Sequence, residues 1–233
     1  MIISHKHKFI FIKTKKTAGS SLELYLHPFC GVHDVVTPFN TTFDNEEKDG
    51  LSQNTAISLT ILEKIKLALT AKGRIFLNRF KRNNWQYYEH MSAEEVKFLV
   101  GQKIWNEYHK FCIVRNPYDR IISHYFFRNK RHNLDHSFDE YLQNKKFSRN
   151  LPVYTDWTSG EILVDSIILY ENLGQDLSKV FNKLNIPFEG ELNIYKKAKI
   201  RKKDAIPDNF INEDQRRYIR SEFAKEFELH NYN

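Results

Sequence analysis

The chain has 233 residues and a formal net charge of +7, from 36 Lys and Arg against 29 Asp and Glu. A hydrophobic content of 41% and 18 Phe residues supply a substantial core and exclude a disordered chain. The length fits one large α/β domain, and the charge points to anionic partners, for which nucleic acid, a nucleotide cofactor and an acidic glycan all qualify. No apolar stretch approaches the ~18 residues that cross a membrane, and no secretory signal pattern is present, so a soluble, cytoplasmic protein is expected. Cys30 and Cys112 form neither a disulfide framework nor a zinc pattern, and Cys112, inside an apolar run, reads as a reduced core residue.

In chain order, Phe9 to Ile12 reads as a short buried strand. It runs into a turn of Lys, Thr, Gly and small residues, and Leu22, Leu24, Tyr25 and Leu26 mark the helix that follows. A strand, a turn and a helix N-terminus aim free N–H groups and the positive end of the helix dipole at one spot. Gly19 lets the backbone approach an anion, and Lys16 adds a full charge inside the turn. The alternative is a βα turn with solvated lysines. Residues 29–56 have loop composition and read as a lid, a substrate edge or a surface loop. Ile57, Ile61, Leu62, Ile65 and Leu69 recur at helical spacing and predict a packed helix. The basic stretch with Arg74, Arg79, Lys81 and Arg82 reads as a solvated face or as a contact for an anionic acceptor.

Ser92 and Glu95 have capping-box spacing, which starts a helix there and leaves His90 just before it, free to face a cleft. Phe111 to Val114 is a second buried strand. It leads through Arg115 and Asn116 into a helix through Phe127, with Pro117 suited to its first turn. Ligands of open α/β sheets bind beyond the carboxyl ends of strands, which places Arg115 at the edge of the first loop, with Ser123 two turns along. The alternative for Arg115 is a structural pair with Asp119. A third strand, Asp165 to Tyr170, precedes a helical face of Leu177, Val180, Phe181 and Leu184. The basic run Lys196 to Lys203 reads as a solvated charge run or as a segment that closes over a polyanion. Asn212 caps a final helix with Ile219, Phe223 and Phe227 at spacing four. Without repeats or linkers, one domain over 1–233 is expected.

The segments Phe9 to Ser21 and Phe111 to Ser123, in this order and in this strand–helix context, resemble the carbohydrate sulfotransferase family that includes the heparan-sulfate O-sulfotransferases. Those enzymes use 3′-phosphoadenosine 5′-phosphosulfate (PAPS) as donor and release PAP. Weaker echoes are His90-Met91-Ser92-Ala93, Asp165, Tyr170-Glu171-Asn172-Leu173 and Glu226 to Tyr232. The resemblance implies a P-loop-like, three-layer α/β fold with a central, mostly parallel sheet flanked by helices. It implies that Lys13, Thr14, Lys15, Lys16, Thr17, Ala18, Gly19, Ser20 and Ser21 hold the 5′-phosphosulfate, that Arg115 and Ser123 meet the 3′-phosphate, and that Arg201 closes over the nucleotide. Lys15 stands where the family usually has Pro. Family members carry their base between the two cofactor motifs, before a helix, which implies His90; His124 and Glu89 are the alternatives. Lys16 then stabilises the leaving phosphate, no metal is expected, and the acceptor is a carbohydrate hydroxyl, as for an O-sulfotransferase of EC 2.8.2 type. The basic segments at 74–82 and 196–203 hint at an anionic glycan.

Two rival readings use the same features. A kinase or nucleotide hydrolase shares the strand–loop–helix site, but a Walker loop carries its Lys after the second Gly, whereas Lys16 precedes Gly19. A nucleic-acid-binding module would use the positive charge and the aromatics, but no recognised motif appears and the basic residues are split among segments.

Overall fold

The computed structural model describes residues 1–38, 52–192 and 205–232. Ile2–Ser4 (β1) and Phe9–Ile12 (β2) form an antiparallel hairpin with Ile3 opposite Ile10. Gly19–Leu26 (α1) follows, and Val35–Val36 (β3) pairs antiparallel with β1. Ile61–Ala68 (α2), Ala71–Arg82 (α3) and Ala93–Glu107 (α4) lead to His109–Val114 (β4) and the long helix Pro117–His132 (α5). Phe138–Gln143 (α6), Leu151–Tyr154 (α7), Ser166–Leu169 (β5) and Leu173–Leu184 (α8) come next. Pro207–Phe210 (α9), Glu213–Glu222 (α10) and Ala224–Leu229 (α11) complete the described elements.

The strands form one sheet in the order β3-β1-β2-β4-β5, in which β2, β4 and β5 run parallel. Only β1 points the other way, because β3 is antiparallel to β1 and therefore runs with β2. The mixed α/β expectation holds, with β1 as a strand that the hydrophobic runs did not announce.

Period-2 alternation divides the core. Ile10, Ile12, Cys112 and Val114 face one side with Phe76, Phe80, Met91 and Val96. Phe9, Phe11, Phe111 and Ile113 face the other, with Leu22, Leu26, Leu177 and Phe181. Helices therefore cover both faces of β2 and β4, as their uninterrupted apolar runs require. Cys112 is a free, buried thiol, and burial pushes its pKa up. A third cluster joins Tyr118, Ile121 and Ile122 of α5 to Tyr141, Ile219, Phe223 and Phe227.

Three expectations are corrected. The stripe predicted to pack in a helix over 57–71 is on a helix, but Ile61, Leu62, Ile65 and Leu69 face solvent; Leu67 is the buried position of α2, and Ile57 is buried ahead of it. The final helix is two helices broken at Phe223, whose φ of −120° is not helical, although Ile219, Phe223 and Phe227 are all buried as expected. The first helix starts at Gly19, three residues ahead of its first apolar position. The capping box at Ser92 and Glu95 is present in both arms. Residues 39–51 of the predicted long loop, and Arg201 with the run Lys196 to Lys203, lie outside the described residues.

Candidate active site

The carboxyl ends of β2, β4 and β5 lie side by side, and the chain leaves them through Lys13, Arg115 and Tyr170. A cavity of about 850 Å³ opens there. Lys13 to Ser21, Glu89, His90, Arg115, Ser123 and His124 all line it, so residues up to about a hundred positions apart in sequence share one site. It lies beyond the strand ends, as open α/β sheets place their ligands.

The loop after β2 is fixed from below. The hydroxyl of Thr14 donates to the Ile113 carbonyl of β4 and lies 2.7 Å from that of Thr17. Both threonines are buried, so they anchor the loop to its neighbouring strand. Asn150, fully buried, clamps Lys15 from the side: the Lys15 N–H donates to its Oδ1 at 2.9 Å, and its Nδ2 donates to the Lys15 carbonyl at 2.9 Å. A proline at 15 has no N–H to give, so the clamp does here what a preset φ would do. Lys16 and Ala18 both have φ of 62°. Such left-handed residues turn successive N–H groups towards one side, which is how a backbone nest forms. Among the described residues no side chain caps α1, whose first N–H groups open onto this loop. Gly19 is required by packing: a Cβ there would meet Lys13 Cγ at 2.8 Å.

The charges fall into two groups. Lys13 is buried, with its Nζ 2.5 Å from Glu23 Oε2 and ion-paired to Glu89. Burial opposes its ammonium, but the two carboxylates outweigh this and raise its pKa. Glu89 likewise pays no penalty in charge: burial works against its carboxylate, yet Lys13 and His90 hold its pKa at about 2. His90 is in the left-handed region at φ 63°, which swings its ring back so that Nδ1 lies 3.0 Å from the Lys13 carbonyl. A carbonyl only accepts, so Nδ1 carries the hydrogen and Nε2 the lone pair. Nε2 lies 3.8 Å from Glu89 Oε2. Burial lowers the His90 pKa to about 4, with Glu89 pulling the other way, so the ring is neutral near pH 7.

The second group is cationic. Lys16 Nζ sits 4.0 Å from the Phe127 ring centre. Arg115 stacks 4.1 Å over the Tyr170 ring, donates from Nη1 to the Lys16 carbonyl at 3.2 Å, and pairs through Nε with Asp119 Oδ2 at 2.6 Å. The structural pairing with Asp119 is therefore real, and it sets the guanidinium at the cavity wall. Successive turns of α5 present Ser123, Phe127 and Arg131, and His124, Arg128 and His132, to the cavity. His124 Nδ1 is 2.8 Å from the Tyr141 hydroxyl, and its pKa falls to about 4 through burial and then through Lys16, Lys15, Arg128 and Arg120. Lys146 adds another cation, and Glu89 is the one carboxylate among the described lining residues.

Sequence reasoning missed Asn150, Tyr170, Arg128, Arg131 and Lys146 as site residues. The spacing of four along α5 carried a signal for the two arginines, since Ser123 marks the row of Arg131 and His124 that of Arg128. Nothing local marks Asn150. Among the described residues, no three His, Cys, Asp or Glu side chains converge as a metal site.

A nested loop at a βα junction, a set of cationic lining residues and a neutral histidine in one cavity define an α/β site suited to an anionic group. The model for the Sulfotransferase family matches residues 1–233, and the chain belongs to that family, whose reaction is sulfuryl transfer. An uncharacterized protein of Archaeoglobus fulgidus is 33% identical over 108 residues, which is 45% of this chain and 90% of that protein. No solved structure matches the chain.

Proposed function

We propose that the protein is an O-sulfotransferase that moves the sulfuryl group of PAPS to a carbohydrate hydroxyl, with His90 as base, on a P-loop-like βα junction. The observation that carries this reading is one cavity lined both by the start of α1 with Lys16 and by His90, whose Nε2 keeps its lone pair. The residues present fit a donor with several anionic groups. Among the described residues no side chain caps the start of α1, and seven lining side chains, Lys13, Lys15, Lys16, Arg115, Arg128, Arg131 and Lys146, are cationic. Their number also favours an anionic glycan as acceptor.

When bound, PAPS supplies a sulfuryl group on a phosphate leaving group. Lys16 and the first N–H groups of α1 face developing negative charge with fixed donors, the arrangement worth most at a transferring group. Arg115 and Ser123 bind the 3′-phosphate side. His90 Nε2 takes the proton of the acceptor hydroxyl, the Lys13 carbonyl fixes its tautomer, and Glu89 stabilises the imidazolium that results. Lys13 serves by holding Glu89 ionised and in place.

Calorimetric titration with PAP tests the donor site. The wild type binds, and Arg115→Ala weakens binding about tenfold to a hundredfold, the loss of a charge-assisted contact. Equal PAP affinity in the two proteins would remove Arg115 from the site.

A further inference from the structure

Helices α2 and α3 form a pair, and none of their residues lines the cavity. On α2, Ile61, Leu62 and Leu69 just past its end are 76%, 69% and 76% exposed, and Ile65 and, on α3, Ile75 are exposed with them. Ile61, Ile65 and Leu69 are spaced by four, so they make one stripe along the helix. Large aliphatic side chains seldom gather on a surface without a partner. Lys64, Lys66, Arg74, Lys81 and Arg82 are exposed on the same two helices. The carboxylate of this stretch, Glu63, is turned back onto Thr60 in the capping box of α2, with Oε2 2.8 Å from the Thr60 hydroxyl.

We propose that this face docks on an anionic lipid bilayer, with the aliphatic stripe at the acyl boundary and the lysines and arginines on the headgroups. An aliphatic stripe bordered by cations is what a helix lying in a membrane interface presents. Charge argues against a second copy as the occupant, because a self-contact would oppose cation to cation. The stripe has isoleucine and leucine where a nucleic-acid platform needs exposed rings for stacking. No described helix is long and apolar enough to cross a membrane, so the mode is surface docking.

The test is flotation of the full chain with vesicles of phosphatidylcholine, with and without phosphatidylglycerol. The protein floats with the anionic vesicles, and raising the salt weakens this. Ile65→Glu/Leu69→Glu lowers the bound fraction about tenfold or more, as does Lys64→Glu/Lys66→Glu. Both variants keep the wild-type circular dichroism and PAP affinity, since no site residue is changed. Three outcomes overturn the proposal: no flotation of the wild type, flotation unaffected by the substitutions, or a wild-type dimer in size-exclusion chromatography that Ile65→Glu/Leu69→Glu converts to monomer.

Discussion

Replacing His90 with alanine lowers the rate of sulfuryl transfer about 10²- to 10⁴-fold, the usual worth of a positioned base, and leaves PAP affinity close to that of the wild type. The separation follows from the geometry. His90 meets the loop through Nδ1 and the Lys13 carbonyl, whereas the proposed donor contacts are Lys16, Arg115 and Ser123. His90→Asn keeps a residue tolerant of φ near 63° and serves as the control for backbone strain. His124 differs in its surroundings. Protonating it would place a fifth cation among Lys16, Lys15, Arg128 and Arg120, whereas a proton on His90 Nε2 meets Glu89 at 3.8 Å. Glu89 itself, with a pKa of about 2, has little proton affinity. His124→Phe therefore alters donor affinity before rate. The pH profile has a definite sign: the neutral imidazole is the active form, so kcat/KM is level near neutrality and falls as pH drops through about 4. An active His90→Ala protein, or a profile unchanged in His90→Asn, contradicts the assignment.

The second large effect is on stability. Arg120 of α5 is fully buried and forms a two-pronged pair with Glu226 of α11, with Nη2 3.0 Å from Oε1 and Nη1 on Oε2. Phe223 covers the guanidinium at 5.0 Å, and Arg120 Nε has no hydrogen-bond partner among the described residues. Glu226→Ala leaves that charge buried and alone, which costs about 3–5 kcal/mol. For a chain of this length the melting temperature falls by roughly 6–20 °C. Replacing both residues with methionine restores most of the loss, because the pair also carries the desolvation of two ions. A fall under about 2 °C for Glu226→Ala would falsify the claim that this pair locks α5, and with it the cavity wall, onto the C-terminal helices.

Much of this was legible because the information is local. The strands β2 and β4, the turns after them and the caps at Ser92 and Asn212 are written in consecutive residues, and their shared sheet edge follows from topology. Support for the loop was not legible. Asn150 acts on Lys15 from 135 positions away, and Lys13 meets Glu89 across 76. Helical spacing located α2 correctly but could not tell which medium its stripe faces, since core and interface helices share that period. The same spacing ran unbroken through Phe223, where the backbone breaks and the side chain stays buried. Lys15 stands in a proline position of the family, and nothing near it in sequence announces that its N–H donates to Asn150.

The most direct measurement is transfer of labelled sulfate from PAPS to a panel of glycans, with the wild type beside Lys16→Ala. Label moves to a carbohydrate hydroxyl with the wild type, and Lys16→Ala reduces the rate about 10²- to 10³-fold, as the loss of one donor at the transferring group does elsewhere. No labelled glycan from the wild type, or equal transfer by the two proteins, contradicts the account.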